Sequence, residues 1–172
     1  MDIAGFPKDR FYWYQSWFIP NTPSIHAFPH WNWEAGDNYP IWAFSDAAEV
    51  ELFVNGASAG RVNMTQYGHA EWKGVAFSPG QYEVRGYDAG ASTAKISTIV
   101  KTAGAPAALR ISVKDSMPGP EGLIADCSDV ALVQVEVVDS AGVVVPYASD
   151  EVTFTVTGPA TLGGTGNGDP AW

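Results

Sequence analysis

The sequence predicts a mainly β chain: two small antiparallel sandwiches, the second cut short, preceded by one helix. Three observations carry this. From Ile41 onward apolar residues recur at period two, the strand period. Turn formers punctuate these runs at the short spacing of an antiparallel sandwich. Residues Asp9–Phe18, in contrast, contain no helix breaker and are crowded with aromatics.

The helix begins where Pro7 suits a first helical position, because the N–H it lacks would have no partner there. Asp9 in the first turn complements the helix dipole. Ten of the chain's 22 aromatic residues lie within positions 1–33, and on the helix they point all the way round. A helix apolar on every side must be buried on every side, and about three turns cannot bury themselves. Its cover is therefore the rest of the chain or a partner. Asn21-Thr22-Pro23 and Pro29 break the helix, and Pro20 to Trp33 reads as an extended, proline-punctuated connection.

Ala35-Gly36-Asp37-Asn38 marks a boundary, after which Ile41 and Ala43 alternate with Trp42 and Phe44. Val50, Leu52 and Val54 then alternate with Glu49, Glu51 and Phe53, and Asn55-Gly56 signals a tight hairpin because both residues tolerate positive φ. Ala70 to Phe77 is the next strand, with a bulge expected at Gly74. Pro79-Gly80 turns into Tyr82, Val84 and Gly86, and Asp88-Ala89-Gly90 into a strand over Thr93–Lys101. Thr102-Ala103-Gly104-Ala105-Pro106 is a small-residue linker. Beyond it Leu109, Ile111 and Val113 form one strand, Val133, Val135 and Val137 another, and Val152, Phe154 and Val156 a third.

Composition narrows the function classes. A net charge of −10 argues against nucleic acid as a partner. No apolar run approaches the ~20 residues of a membrane span. The nine acids from Asp115 onward are scattered at turns, without the alternate-position ligands of a calcium loop. Cys127, the single cysteine, excludes an internal disulfide; Asp126 and Asp129 beside it would raise its thiol pKa, so it reads as a buried spectator. No leader follows Met1, and the compartment stays open, periplasm and secretion included.

The stretch "GFPKDRFYWYQSWF…PHWNW", then "EVELFVNG" and "PGQYEVRGYD", resembles the junction between the catalytic barrel and the following module in β-galactosidase-like enzymes of glycoside hydrolase family 2. "VALVQVEVVDSAGVVVP" and "GPATLGGTGNGDP" resemble the last immunoglobulin-like module of those enzymes. The resemblance implies three parts. Residues 1–35 would be the tail of a (β/α)8 barrel with its last helix, residues 36–102 an immunoglobulin-like β-sandwich, and residues 103–172 a second one, truncated. It implies an O-glycosidic hydrolase as parent, with both catalytic glutamates upstream of this chain and no catalytic residue within it. The partners it implies are the catalytic barrel, a carbohydrate substrate reached through the parent, and a further copy in a homo-oligomer. No cofactor and no metal is implied.

Three residues are candidates for contact with sugar. Asp2 would lie just after the last barrel strand, at the end where barrel enzymes hold substrate. Trp31 and Trp33 carry flat indoles suited to sugar faces, although aromatics at a domain seam more often fill the interface. His26 and His30 lack a third ligand for zinc. Gly163 to Gly168 lacks the Lys-Ser/Thr and helix of a phosphate loop. The glutamates, Glu49 and Glu51 among them, read as solubilising.

The competing reading is a free-standing immunoglobulin-like module that binds carbohydrate or mediates adhesion through its aromatics. The helix discriminates, because a free-standing module has no use for rings on every side. The barrel-tail reading expects the helix to dock partly, with Trp31 and Trp33 as the docking surface, and to self-associate; it expects deletion of Met1–Pro29 to improve solubility and leave the strand signal unchanged.

Overall fold

The computed structural model describes residues 5–114 and 130–167. The chain is mainly β and divides into two compact units, Met1–Thr102 together with Glu151–Trp172, and Ala103–Asp150.

In the first unit, helix α1 spans Asp9–Phe18, as its sequence predicts. Seven antiparallel strands follow: β1 Ile25–Phe28, β2 Asn38–Ser45, β3 Glu49–Val54, β4 Ala57–Asn63, β5 Ala70–Ala76, β6 Gln81–Tyr87 and β7 Ile96–Lys101. They form a three-stranded sheet, β1-β2-β5, and a four-stranded sheet, β4-β3-β6-β7. Alternation decides what each sheet buries. Ala27, Ile41, Ala43, Ala70 and Trp72 from the first sheet meet Val50, Leu52, Tyr82 and Val84 from the second in one core. Trp72 also straps the layers together, its indole N–H donating to the Gly60 carbonyl at 2.9 Å.

Local chemistry sets the register. Asn55 (φ 48°) and Gly56 (φ 86°) form the two-residue turn between Val54 and Ala57, the expected hairpin. The bulge expected at Gly74 is there: two steps on β2, Tyr39 to Ile41, oppose three on β5, Val75 to Trp72, and Gly74 has φ 64°.

Two features depart from the sequence reading. The connection after the helix contains strand β1, which pairs with β2 from Ile25↔Ser45 to Phe28↔Trp42. Prolines at 23 and 29 bracket β1 without cost because it is an edge strand. Residues 25–33 therefore belong to the sandwich, and removing Met1–Pro29 would strip an edge strand as well as the helix.

The second unit pairs β8, Ala108–Lys114, with β9, Leu132–Val138. Register places Leu109, Ile111 and Val113 opposite Val137, Val135 and Val133 on one face. The other face carries the Arg110–Glu136 ion pair at 2.9 Å. Asp139 ties the unit's linker to its turn by accepting N–H groups from Gly104, Ala141 and Val143, each at 2.8 Å. The third strand expected over Val152–Val156 does not form; these residues are irregular, and Phe154 and Val156 are exposed. Period two supplies a face but not a neighbour, and an unpaired stretch of this length does not stand as a strand alone.

Candidate functional site

Of the residues singled out for sugar contact, Asp2 lies outside the described residues, and so does the cysteine, Cys127. Trp31 is fully buried. Its indole N–H donates to the Ser78 carbonyl at 3.0 Å, and Phe77 and Tyr82 meet it edge-on at 5.1 and 5.3 Å. The Thr102 hydroxyl donates to its carbonyl at 2.7 Å. An indole enclosed on all sides has no face for a sugar, so Trp31 is core of the first sandwich rather than a binding platform. Beside it the Tyr82 hydroxyl donates to the Pro29 carbonyl, and burial pushes the Tyr82 pKa up. Trp33 is half-buried and stacked with Tyr39 at 3.7 Å and His30 at 4.3 Å. Burial lowers the His30 pKa. His26 meets Asp9 at 2.8 Å.

The carboxyls are arranged for structure. Glu49 and Glu51 lie on the outer face of β3, both paired with Arg61, at 3.0 and 3.3 Å. Arg61 in turn stacks over the Tyr87 ring at 3.7 Å. The Ser58 hydroxyl and then Arg61 hold the Glu51 carboxyl below its usual range, and Arg85 does the same for Glu83. A glycosidase needs a carboxylic acid held protonated beside a second carboxylate. Each described carboxyl with a resolved shift is moved the other way. Among the described residues no cluster of His, Cys, Asp or Glu is assembled for a metal ion.

What the fold does build is a helix seat. On the outer face of the β1-β2-β5 sheet Tyr12 stacks on His26 at 3.9 Å, next to the Asp9–His26 pair. Ser16, the buried residue of the helix, meets the Ser24 hydroxyl at 3.2 Å. On the adjoining flank the Trp13 indole donates to the Tyr67 carbonyl at 3.0 Å, while Trp17 and Phe18 meet the Tyr67 ring. One side of the helix is thus covered by this chain. The other is not: Tyr14 is 55%, Phe18 60% and Ile19 48% exposed, and Tyr67 beside them 53%. Sequence reasoning found the helix but expected Trp31 and Trp33 as its docking surface, and so missed the seat at His26, Ser24 and Tyr67. Thr65-Gln66-Tyr67-Gly68 reads as an ordinary turn, and only the fold brings it to the helix.

The comparisons with known proteins fit this division of labour. Residues 36–94 match a family described as a domain of unknown function (DUF4982), and residues 117–172 match glycoside hydrolase family 2 C-terminal domain 5. The chain is 40% identical to "Beta-galactosidase BoGH2A" of Bacteroides ovatus, over 99% of its own length and 19% of that protein. It is 37% identical to a "Beta-glucuronidase" of Formosa agariphila, over 99% of itself and 17% of that protein. Among solved structures, a β-glucuronidase from glycoside hydrolase family 2 superposes with a TM-score of 0.71 at 35% identity, covering 83% of this chain and 14% of that one. The chain therefore spans less than a fifth of the length of these relatives. Both β regions are matched in this way, and the chain corresponds to a C-terminal part of glycoside hydrolase family 2 enzymes.

Proposed function

We propose that the chain serves as the accessory C-terminal part of an enzyme that hydrolyses O-glycosidic bonds, of the β-galactosidase or β-glucuronidase kind. Its first sandwich buttresses the catalytic domain, and its own residues perform no chemistry. The observation that carries this is the alignment of nearly the whole chain with less than a fifth of each relative, joined to a set of carboxyls committed to ion pairs. The exposed side of α1, with Tyr14, Phe18 and Ile19, is the surface that takes the catalytic domain. Self-association of the isolated chain would use the same rings. The free-standing carbohydrate-binding reading loses its anchor, since Trp31 is enclosed in the core.

The test is turnover of aryl β-galactosides and β-glucuronides by the purified chain. No turnover above buffer is expected. Activity that survives repurification and disappears on Glu51→Gln or Glu83→Gln would overturn the proposal.

A further inference from the structure

We infer that the Tyr67 turn is a latch: it holds helix α1 on the sandwich and thereby fixes where the catalytic domain sits against the accessory region. The second half rests on the function proposed above; the latch itself is a property of this chain.

The turn runs from Thr65 to Gly68 and is closed by the Gly68 N–H donating to the Thr65 carbonyl at 2.9 Å. Tyr67 occupies its third position with φ 60°. A turn with positive φ there calls for Gly or Asn, which reach that region without steric penalty. A bulky residue at positive φ is an outlier that persists where its surroundings over-determine it. Here the surroundings are the helix. The Tyr67 carbonyl accepts the Trp13 indole N–H at 3.0 Å. The ring lies nearly parallel to Phe18, 14° apart with centroids at 5.9 Å, and meets Trp17 at 5.7 Å and 65°. Glycine would serve the turn better; the aromatic side chain serves the helix. Another stripe of α1 is held separately, by Asp9 and Tyr12 on His26 and by Ser16 on Ser24. Tyr67 holds the adjoining flank, through Trp13, Trp17 and Phe18, and attachments on two stripes fix a helix in orientation where one would let it roll.

The experiment is hydrogen exchange on the whole chain, comparing wild type, Tyr67→Gly and Tyr67→Phe. In wild type the 9–18 amides are protected. Tyr67→Gly, which relaxes the turn and removes the ring, is expected to speed their exchange about tenfold, while β3 and β6 stay protected. Tyr67→Phe keeps ring and carbonyl and is expected to match wild type. The latch is overturned by an unprotected helix in wild type, by unchanged protection in Tyr67→Gly, by loosening spread equally over the strands, or by Tyr67→Phe behaving as Tyr67→Gly. Glycoside turnover plays no part in the readout. A failed latch therefore leaves the accessory-region reading standing, and the converse holds.

Discussion

Replacing Trp31 separates core from binding surface. The indole is fully enclosed, and a ring of its class buries ~150–250 Å². At ~25 cal/mol per Å² that is about 4–6 kcal/mol as an upper bound, in line with the ~3–5 kcal/mol that Trp→Ala substitutions cost in cores. The net stability of a domain is only about 5–15 kcal/mol, so Trp31→Ala removes a large share of it. Trp31→Phe is the graded variant. It keeps an aromatic against Phe77 and Tyr82 but leaves the Ser78 carbonyl without its 3.0 Å donor, a loss of about 1–3 kcal/mol. Urea unfolding followed by far-ultraviolet circular dichroism reads both. With m of ~1–3 kcal/mol per molar, the alanine variant shifts the midpoint down by more than ~1 M. The phenylalanine variant falls between it and wild type. If Trp31→Ala stays within about 0.5 kcal/mol of wild type, as surface substitutions do, Trp31 is not core, and the sugar-contact reading returns.

Two further outcomes test the packing and the second unit. A Cβ at Gly86 meets Ile96 Cγ2 at 2.9 Å and Ala47 Cβ at 3.0 Å, so Gly86→Ala overpacks the sandwich and lowers its stability by about 1–3 kcal/mol; an unchanged urea midpoint would contradict this. The N–H groups of Gly104 and then Val143 hold the Asp139 carboxyl below its usual range. Because the folded pKa lies under the unfolded one, Asp139 contributes stability in full above the unfolded value, and the contribution is lost as pH falls through the folded one. The amide resonances of Gly104, Ala141 and Val143 should therefore hold their positions from neutral pH down to about 4 and move together below it. In Asp139→Asn that transition should be absent, and its persistence would remove Asp139 as the cause.

Much of the fold was legible because local and tertiary demands agree. Asn55-Gly56 names its own turn, Gly74 its own bulge, and the alternation of Val50 and Leu52 with Glu49 and Glu51 separates core from the Arg61 ion pairs. Strand β1 was not legible, since four residues between two prolines carry no periodicity of their own. Its identity comes from pairing with β2. Val152, Phe154 and Val156 fail in the opposite way, with a clear period and no strand. Trp31 looked like seam because the sequence places it between prolines. It is core because Ser78, Thr102 and Tyr82, distant in sequence, converge around the segment.

The size of the open side of the helix helps decide what covers it. Tyr14, Phe18, Ile19 and Tyr67 are each about half exposed, which from ~150–250 Å² per aromatic gives roughly 300–500 Å² in all. That matches the largest apolar patch of an ordinary monomer, ~300–600 Å². Doubled for the two partners it reaches about 600–1,000 Å², below the ~1,200–2,000 Å² of stable complexes between separate proteins. It lies within the ~600–1,500 Å² typical of contacts between domains of one chain. There the linking polypeptide supplies effective concentration in place of area. These magnitudes suit the covalently joined catalytic domain proposed above better than a second copy. The latch at Tyr67 belongs to the same economy of contact. A seam this small holds one orientation only if the helix that carries it is itself held rigid, and the two attachments of α1, at His26 and at Tyr67, are what hold it.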